Sequence, residues 1–176
     1  MTHTMVLAAK AVGSALVIAA GGLAGFAAAR RVEAELREVE RFETALLCLS
    51  SEISYALTPL PEALKRAGSA AGGEIGTLLA RTGSLAGLSN RRSVSRALDL
   101  ALAEVRPQSP KAVAILKDLA ANLGFSGHKE EVRYIEMSID RTRSLRKELE
   151  GECRRKARLY RYLGLFSGAS LAIVLL

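Results

Sequence analysis

An all-α fold is predicted by three features of the sequence. Apolar residues make up 49% of the 176 residues, but aromatic residues only 5%, tryptophan is absent and only four prolines occur. Apolar positions recur every three or four residues along the middle of the chain, which is the period of an amphipathic helix. An uncharged segment stands at each end. We therefore predict an antiparallel helical bundle of about six helices between an N-terminal and a short C-terminal transmembrane helix.

The N-terminal uncharged segment, Ala11–Ala29, is predicted to cross the membrane. Its nineteen residues form a helix of roughly 28 Å, close to the hydrocarbon thickness of a bilayer. The alternative is a cleaved signal peptide, since Ala27 and Ala29 fit an A-x-A cleavage site. Two arginines follow the segment directly, and basic residues in that position resist translocation and favour an uncleaved span.

The C-terminal part of the chain, from about Ser126 to Leu176, is predicted to be one helix that leaves water and enters the membrane. Its first part is amphipathic, and its uncharged tail at residues 162–176 reaches only about 22 Å as a helix. A tail of that length crosses with local thinning of the bilayer or inserts without crossing, and the sequence leaves both open. A basic collar separates the two parts: Arg154, Arg155, Lys156, Arg158 and Arg161.

Basic residues beside the two uncharged segments predict the same topology. Arg30 and Arg31 follow the first segment and the collar precedes the second, so the positive-inside rule keeps the region between them in the cytoplasm. The predicted domains are a transmembrane helix at 5–29, a cytoplasmic bundle at 30–161 and a short transmembrane helix at 162–176. Glycines four apart are candidates for close helix packing, although glycine is common in membrane helices: Gly21 with Gly25, and Gly164 with Gly168.

The cytoplasmic bundle is predicted from its apolar periodicity and its helix-capping residues. The predicted helices are residues 31–57; a short helix up to Ala67 with Thr58 as N-cap and Gly68 at its end; residues 74–81; residues 91–105; a helix ending near residue 123 that Ser109 caps and Pro110 opens; and the long C-terminal helix. The glycine-rich stretch from Gly68 to Gly87 is the least regular part of this pattern.

The sequence contains no recognisable catalytic, cofactor or metal site, so we expect neither an enzyme nor a cofactor. The two histidines have no companion at metal-ligand spacing, and Cys48 and Cys153 form no CxxC pair, which is typical of reduced thiols. No Walker or dinucleotide-binding motif occurs. Glu52 and Tyr55 flank the apolar stripe of the first helix. These two residues could form a buried polar contact or bind a partner. The alternative, which we favour, is that Glu52 pairs with an arginine of the bundle.

Three stretches of the sequence resemble the stage III sporulation protein AB family of spore-forming bacteria. They are Leu49–Leu64, Leu116–Ser126 and Lys156–Leu176, the last with its basic collar and its Leu-Gly-x-x-x-Gly tail. The order of an N-terminal span, a helical middle and a short C-terminal span is similar as well, so the resemblance covers nearly the whole chain. Two departures are Glu131, where glutamine is expected, and the glycine-rich stretch.

The resemblance implies a non-enzymatic platform in the mother-cell membrane around the forespore. The family is itself similar to the cytoplasmic domain of the inner-membrane platform protein of type II secretion and type IV pilus systems. The implied partners are a secretion-type ATPase, stage III sporulation protein AA, which would dock on the bundle, and other stage III sporulation membrane proteins. The candidate partner-binding residues lie in the first of the three stretches: Glu52, Tyr55, Pro59, Pro61 and Glu62.

An alternative function rests on the net charge of +7 and on the collar. Residues 141–161 hold nine basic and three acidic residues, a density that attracts anionic lipid or nucleic acid. We favour lipid because the collar adjoins the uncharged tail and no aromatic side chains form a stacking platform, so no nucleic acid is expected. Homo-oligomerisation is left open by the sequence.

Overall fold

The computed structural model describes the backbone of residues 27, 30–31, 33–88, 94–124 and 127–175, and the side chains of these residues up to residue 156. This part of the chain forms six helices and contains no strand, which confirms the predicted all-α fold. The chain divides into two compact units, Ala34–Leu149, and Met1–Glu33 together with Glu150–Leu176. The contacts described below belong to the first unit unless stated otherwise.

Helix α1, residues 33–54, buries one apolar face. The buried residues are spaced by three and four positions, as the sequence predicts: Val39, Phe42, Ala45, Leu46, Leu49 and Ile53. The helix ends three residues before its predicted end because the chain turns there. Thr58 donates its N–H to the carbonyl of Glu52 at 3.0 Å, and Leu57 adopts a left-handed φ of 51°.

Helices α2, Leu60–Ala71, and α3, Gly73–Gly87, form a hairpin within the glycine-rich stretch. Both are longer than predicted. The prediction that Gly68 ends α2 is wrong, because Gly68 lies buried inside that helix. The turn is made instead by Gly72 and Gly73, whose φ angles of 64° and 65° are left-handed and favour glycine.

The hairpin is closed by three glycines, Gly68, Gly76 and Gly83, which we call the glycine seam. A Cβ atom at Gly68 would lie 2.6 Å from the backbone nitrogen of Ala80, and one at Gly76 would lie 2.5 Å from the carbonyl oxygen of Gly68. A Cβ atom at Gly83 would lie 2.5 Å from the carbonyl oxygen of Pro61. The two backbones therefore touch without an intervening side chain, and glycines that suggest a helix break in the sequence hold two helices together.

Thr58 is not the N-cap of α2, contrary to the prediction. Pro59 occupies that position and makes no side-chain capping bond. The hydroxyl of Thr58 instead donates to Oε2 of Glu52 at 2.6 Å.

Helices α4, Val94–Glu104, and α5, Pro110–Asn122, follow in the positions that the sequence predicts. The predicted start of α4 at residues 91–93 lies outside the described residues. Oγ of Ser109 accepts a hydrogen bond from the N–H of Ala112 at 3.2 Å, which confirms both the predicted cap and the start of α5 at Pro110.

Helix α6, His128–Leu175, is a single helix of 48 residues. This confirms the prediction of one continuous helix toward the C-terminus, whereas its predicted cap, Ser126, lies outside the described residues. Within the first unit α6 buries an apolar stripe of Ile135, Ile139, Leu145 and Leu149.

Both membrane segments remain predictions. Among the residues that the structure describes, no helix is long and apolar enough to cross a membrane. The predicted span at 5–29, including Gly21 and Gly25, lies outside those residues apart from Ala27. Beyond residue 156 only the helical backbone is described, so the side chains of Arg158 and Arg161 and the packing of Gly164 and Gly168 also lie outside the description.

Candidate partner-binding site

The connection between α1 and α2, residues 55–59, displays two large apolar side chains to solvent. Tyr55 is 87% exposed and Leu57 is 71% exposed. Single exposed apolar residues are ordinary on protein surfaces, whereas contiguous apolar patches mark interaction sites. We call this connection the α1–α2 turn.

Glu52 holds the α1–α2 turn from the last part of α1. Its Oε2 accepts from the hydroxyl of Thr58 at 2.6 Å and from a guanidinium nitrogen of Arg66 at 3.1 Å. Arg66 also lies 3.9 Å from Glu62, which pairs with Lys65 at 3.5 Å. Glu52 therefore forms the arginine pair favoured from the sequence. That pair fixes the turn between two helices.

Other chain segments meet at the same end of the bundle. A Cβ at Gly87, the last residue of α3, would lie 3.6 Å from Cβ of Pro61, and the next residue, Leu88, is 84% exposed. A Cβ at Gly124, just beyond α5, would lie 3.9 Å from Cδ2 of Leu60. We call this end the tip. Among the described residues it comprises the α1–α2 turn, the first turn of α2, Leu88 after α3, and Leu123 and Gly124 after α5.

A glutamate of α6 closes the tip. Oε1 of Glu131 accepts a hydrogen bond from the backbone N–H of Gly124 at 2.9 Å. Glu131 is the position where the family resemblance leads one to expect glutamine. Because glutamine also offers a side-chain oxygen acceptor, the departure preserves this contact.

All five candidate partner-binding residues of the sequence lie at the tip. Pro59 and Glu62 are exposed, Pro61 and Glu52 are partly buried, and Tyr55 is almost fully exposed. The sequence interpretation missed Leu57 and Leu88. Leu57 has the spacing of a last core residue of α1, and Leu88 follows a glycine in the stretch where the helical pattern is least regular. Neither carries a local signal of exposure.

A buried carboxylate joins α1 to α6. Oε1 of Glu43 accepts from Nε of Arg143 at 3.0 Å, and its Oε2 lies 2.9 Å from a guanidinium nitrogen of Arg146. The second contact is an ion pair without hydrogen-bond alignment, since Oε2 has no hydrogen-bond partner. The Glu43 side chain is only 10% exposed, whereas both arginines reach solvent. We call these three residues the Glu43 clamp.

A second buried carboxylate joins α1 to the start of α5. Glu38 accepts the backbone N–H of Ser109, and the Ser109 hydroxyl donates to Glu35 at 3.2 Å. Burial raises the pKa of Glu38 above its ordinary value, and the backbone hydrogen bonds from Ser109 and Gln108 oppose that shift. The carboxylate gives the backbone N–H of Ser109, at the start of α5, an acceptor, because the first N–H groups of a helix have no carbonyl partner within that helix.

The described part of the basic collar lies in the second unit. Arg154 and Arg155 are exposed, and Lys156 lies 3.5 Å from Glu152. Arg30 and Arg31 are also exposed.

The described residues hold no group of three or more metal-ligating side chains. Two shallow depressions lie between α5 and α6, one beside Asp118 and Arg141 and one beside Lys111 and Glu148. An ion pair joins the two helices at each depression, Arg141 to Asp118 at 3.2 Å and Lys111 to Glu148 at 2.8 Å.

The fold and its surface define an α-helical bundle protein with exposed apolar side chains at its tip.

Comparison with known proteins gives the family. The sequence model of the stage III sporulation protein AB family matches residues 10–176, so the chain belongs to that family and is a stage III sporulation protein. A solved structure of a stage III sporulation protein AB is similar, with a TM-score of 0.60 and 18% sequence identity over 69% of this chain and 97% of that chain. At this identity the likeness shows the fold alone. No curated protein matches the chain.

Proposed function

We propose that the chain is a non-enzymatic membrane platform of the stage III sporulation complex that docks a secretion-type ATPase, stage III sporulation protein AA, through the tip. The observation that carries this proposal is the gathering of all five candidate residues at one end of the bundle, with Tyr55 standing 87% exposed among them. Tyrosine is among the residues that contribute most binding energy at protein interfaces. A fixed turn that displays it needs little ordering when a partner binds.

The Glu43 clamp supports a mechanical role for the platform. It ties α1, which follows the predicted N-terminal span, to α6, which continues into the predicted C-terminal span. A buried carboxylate held by two arginines resists sliding of one helix along the other, because any shift leaves charge unpaired in a poorly solvated place. In the proposed mechanism, a push from the ATPase at the tip therefore reaches both helices together.

Binding of the purified ATPase tests the docking proposal. We expect Tyr55→Ala in the full chain, held in detergent or nanodiscs, to weaken ATPase binding about tenfold to thirtyfold, the effect of removing an interface tyrosine. The matched control is Leu100→Ser, which removes a partly exposed apolar side chain of α4 away from the tip. Unchanged affinity in Tyr55→Ala, with native circular dichroism, would contradict docking at the tip.

The proposed location is the mother-cell membrane around the forespore, with the bundle in the cytoplasm and other stage III sporulation membrane proteins as neighbours. Gly21 with Gly25 and Gly164 with Gly168 are the proposed contacts between membrane helices. Deletion is expected to give cells that engulf the forespore and then arrest. The Leu100→Ser chain should restore spores and the Tyr55→Ala chain should not.

A second candidate function is binding of anionic lipid by the basic collar. The exposure of Arg154 and Arg155 favours it. Replacing Arg154, Arg155, Lys156 and Arg158 with glutamine separates the two functions. Loss of binding to vesicles of anionic lipid or to DNA, with ATPase binding intact, would assign the collar to the membrane or to nucleic acid. Loss of ATPase binding alone would extend the docking surface to the collar.

A further inference from the structure

Leu57 combines two unfavourable features in the free protein. Its φ of 51° makes it the one described residue other than glycine with a left-handed backbone, a conformation in which the Cβ of an L-residue crowds its own carbonyl. Its side chain is also 71% exposed, so little packing offsets that strain. Glycine would satisfy the same backbone position without either penalty.

The left-handed conformation is imposed by contacts on both sides of Leu57. On one side, the N–H of Ala56 donates to the carbonyl of Ser51 at 3.4 Å, five residues back, which widens the last turn of α1. On the other, Thr58 is fixed to Glu52 by its N–H and its hydroxyl, and Pro59 follows with a φ of −54°. These contacts hold the backbone on both sides of Leu57, and its side chain is exposed at the end of α1.

Strained residues that the surrounding structure holds in place often belong to binding sites, and the inference runs from the observed outlier to the function. We propose that Leu57 is the anchor residue of the tip, the side chain that inserts into an apolar socket on a protein partner. This proposal rests on the proposed function, because the partner is the ATPase that docks at the tip. Tyr55 borders the anchor, and Leu88 lies at the same end of the bundle.

Charges around the anchor indicate the chemistry of its partner. Among the described residues, the charged side chains that pair across the turn are two of each sign: Glu52, Glu62, Lys65 and Arg66. A surface that binds anionic lipid or nucleic acid carries an excess of basic residues. An apolar anchor within a charge-balanced rim instead fits a protein interface, which has an apolar centre and a polar edge.

Leu57→Gly tests the anchor because it is expected to move stability and binding in opposite directions. Removing the strain should raise the thermal unfolding midpoint of the full chain, and removing the side chain should weaken binding of the purified ATPase at least tenfold. Leu57→Met, which keeps a long apolar side chain, should retain affinity within about threefold because such swaps are tolerated best. Leu100→Ser serves as the control for loss of an exposed leucine.

The outcomes separate the anchor from the docking proposal on which it rests. Normal binding by Leu57→Gly, or a lowered unfolding midpoint, overturns the anchor. If Tyr55→Ala still loses binding in that case, docking at the tip stands without Leu57 as its anchor. If neither variant changes ATPase binding, both proposals fall. Loss of vesicle binding, or of self-association in light scattering, without loss of ATPase binding would also overturn the anchor as a site for the ATPase.

Discussion

The glycine seam and the Glu43 clamp join helices in opposite ways. In the α2–α3 hairpin, positions 68, 76 and 83 bring backbone against backbone with no room for a methyl group. Between α1 and α6, one buried glutamate reaches two long arginine side chains across the helix interface. The first contact depends on shape alone, whereas the second depends on charge.

This difference separates the parts of the proposed platform. The hairpin begins at the tip, where Gly83 packs against the carbonyl of Pro61, so its geometry sets the position of the candidate docking residues. The clamp lies on the two helices that lead to the predicted membrane segments. A contact with no side chain to adjust keeps the tip in place, and a buried charge held by two arginines resists sliding of α1 along α6.

The largest expected effect comes from filling the seam. Gly68→Ala places a Cβ against the backbone of Gly76 and Ala80, so the helices must move apart, and we expect a loss of about 3 kcal/mol in the free energy of unfolding. Urea denaturation of the full chain measures it. Gly151→Ala is the matched control, since that helical glycine has open space around it and should gain up to about 1 kcal/mol. A tolerated Gly68→Ala would show that the hairpin can slide.

Breaking the clamp has the next largest expected effect. Glu43→Ala removes the carboxylate that Arg143 and Arg146 both approach, and we expect a loss of about 2 kcal/mol in the free energy of unfolding. The value lies below that of a fully buried pair because both arginines are partly exposed and can be hydrated. Glu40→Ala, at an exposed position of α1 one turn away, is the control and should change stability little. Equal losses in both variants would contradict a special role for the clamp.

The smallest expected effects are those of pH on stability. Glu38 and Glu104, two carboxylates outside the glycine seam, should respond to pH in opposite directions. Burial raises the pKa of Glu38, so between its ordinary value of 4.5 and the raised value the folded protein holds a proton that the unfolded chain has released. Relative to Glu38→Gln, the native chain should therefore lose stability as the pH rises through that window. Thermal unfolding midpoints across the pH range measure this difference.

Glu104 provides the comparison of opposite sign. The hydrogen bond from Arg81, at 2.8 Å, lowers the pKa of Glu104 below 4.5. Relative to Glu104→Gln, the native chain should lose stability as the pH falls below about 4.5, because the bound carboxylate must then take up a proton. This exposed pair should also weaken with added salt. The difference between the native chain and Gly68→Ala should change little with pH, since the seam contains no ionisable group.

Periodic and capping signals predicted most of the fold. The apolar stripes of α1, α4, α5 and α6 and the cap at Ser109 were evident because they depend on neighbours within the same helix. The α2–α3 hairpin was predicted poorly, since Gly68 has the local pattern of a helix end and only the backbone of α3 reveals its use. The five candidate partner-binding residues are neighbours in the sequence, so their location at one end of the bundle follows from one chain segment. The exposure of Leu57 depends on a backbone angle that residue spacing does not encode.

The glycine seam also restricts how the sequence can change by mutation. Every single-base change that replaces glycine by another amino acid introduces a Cβ atom. Positions 68, 76 and 83 therefore cannot be substituted without adding a side chain to the contact. A larger residue at any of them is accommodated only if the facing helix shifts. At position 83 that shift displaces Pro61 and the tip with it. Mutation of this hairpin should therefore accumulate on its outer face, and saturation mutagenesis scored by spore formation should find all three seam positions intolerant.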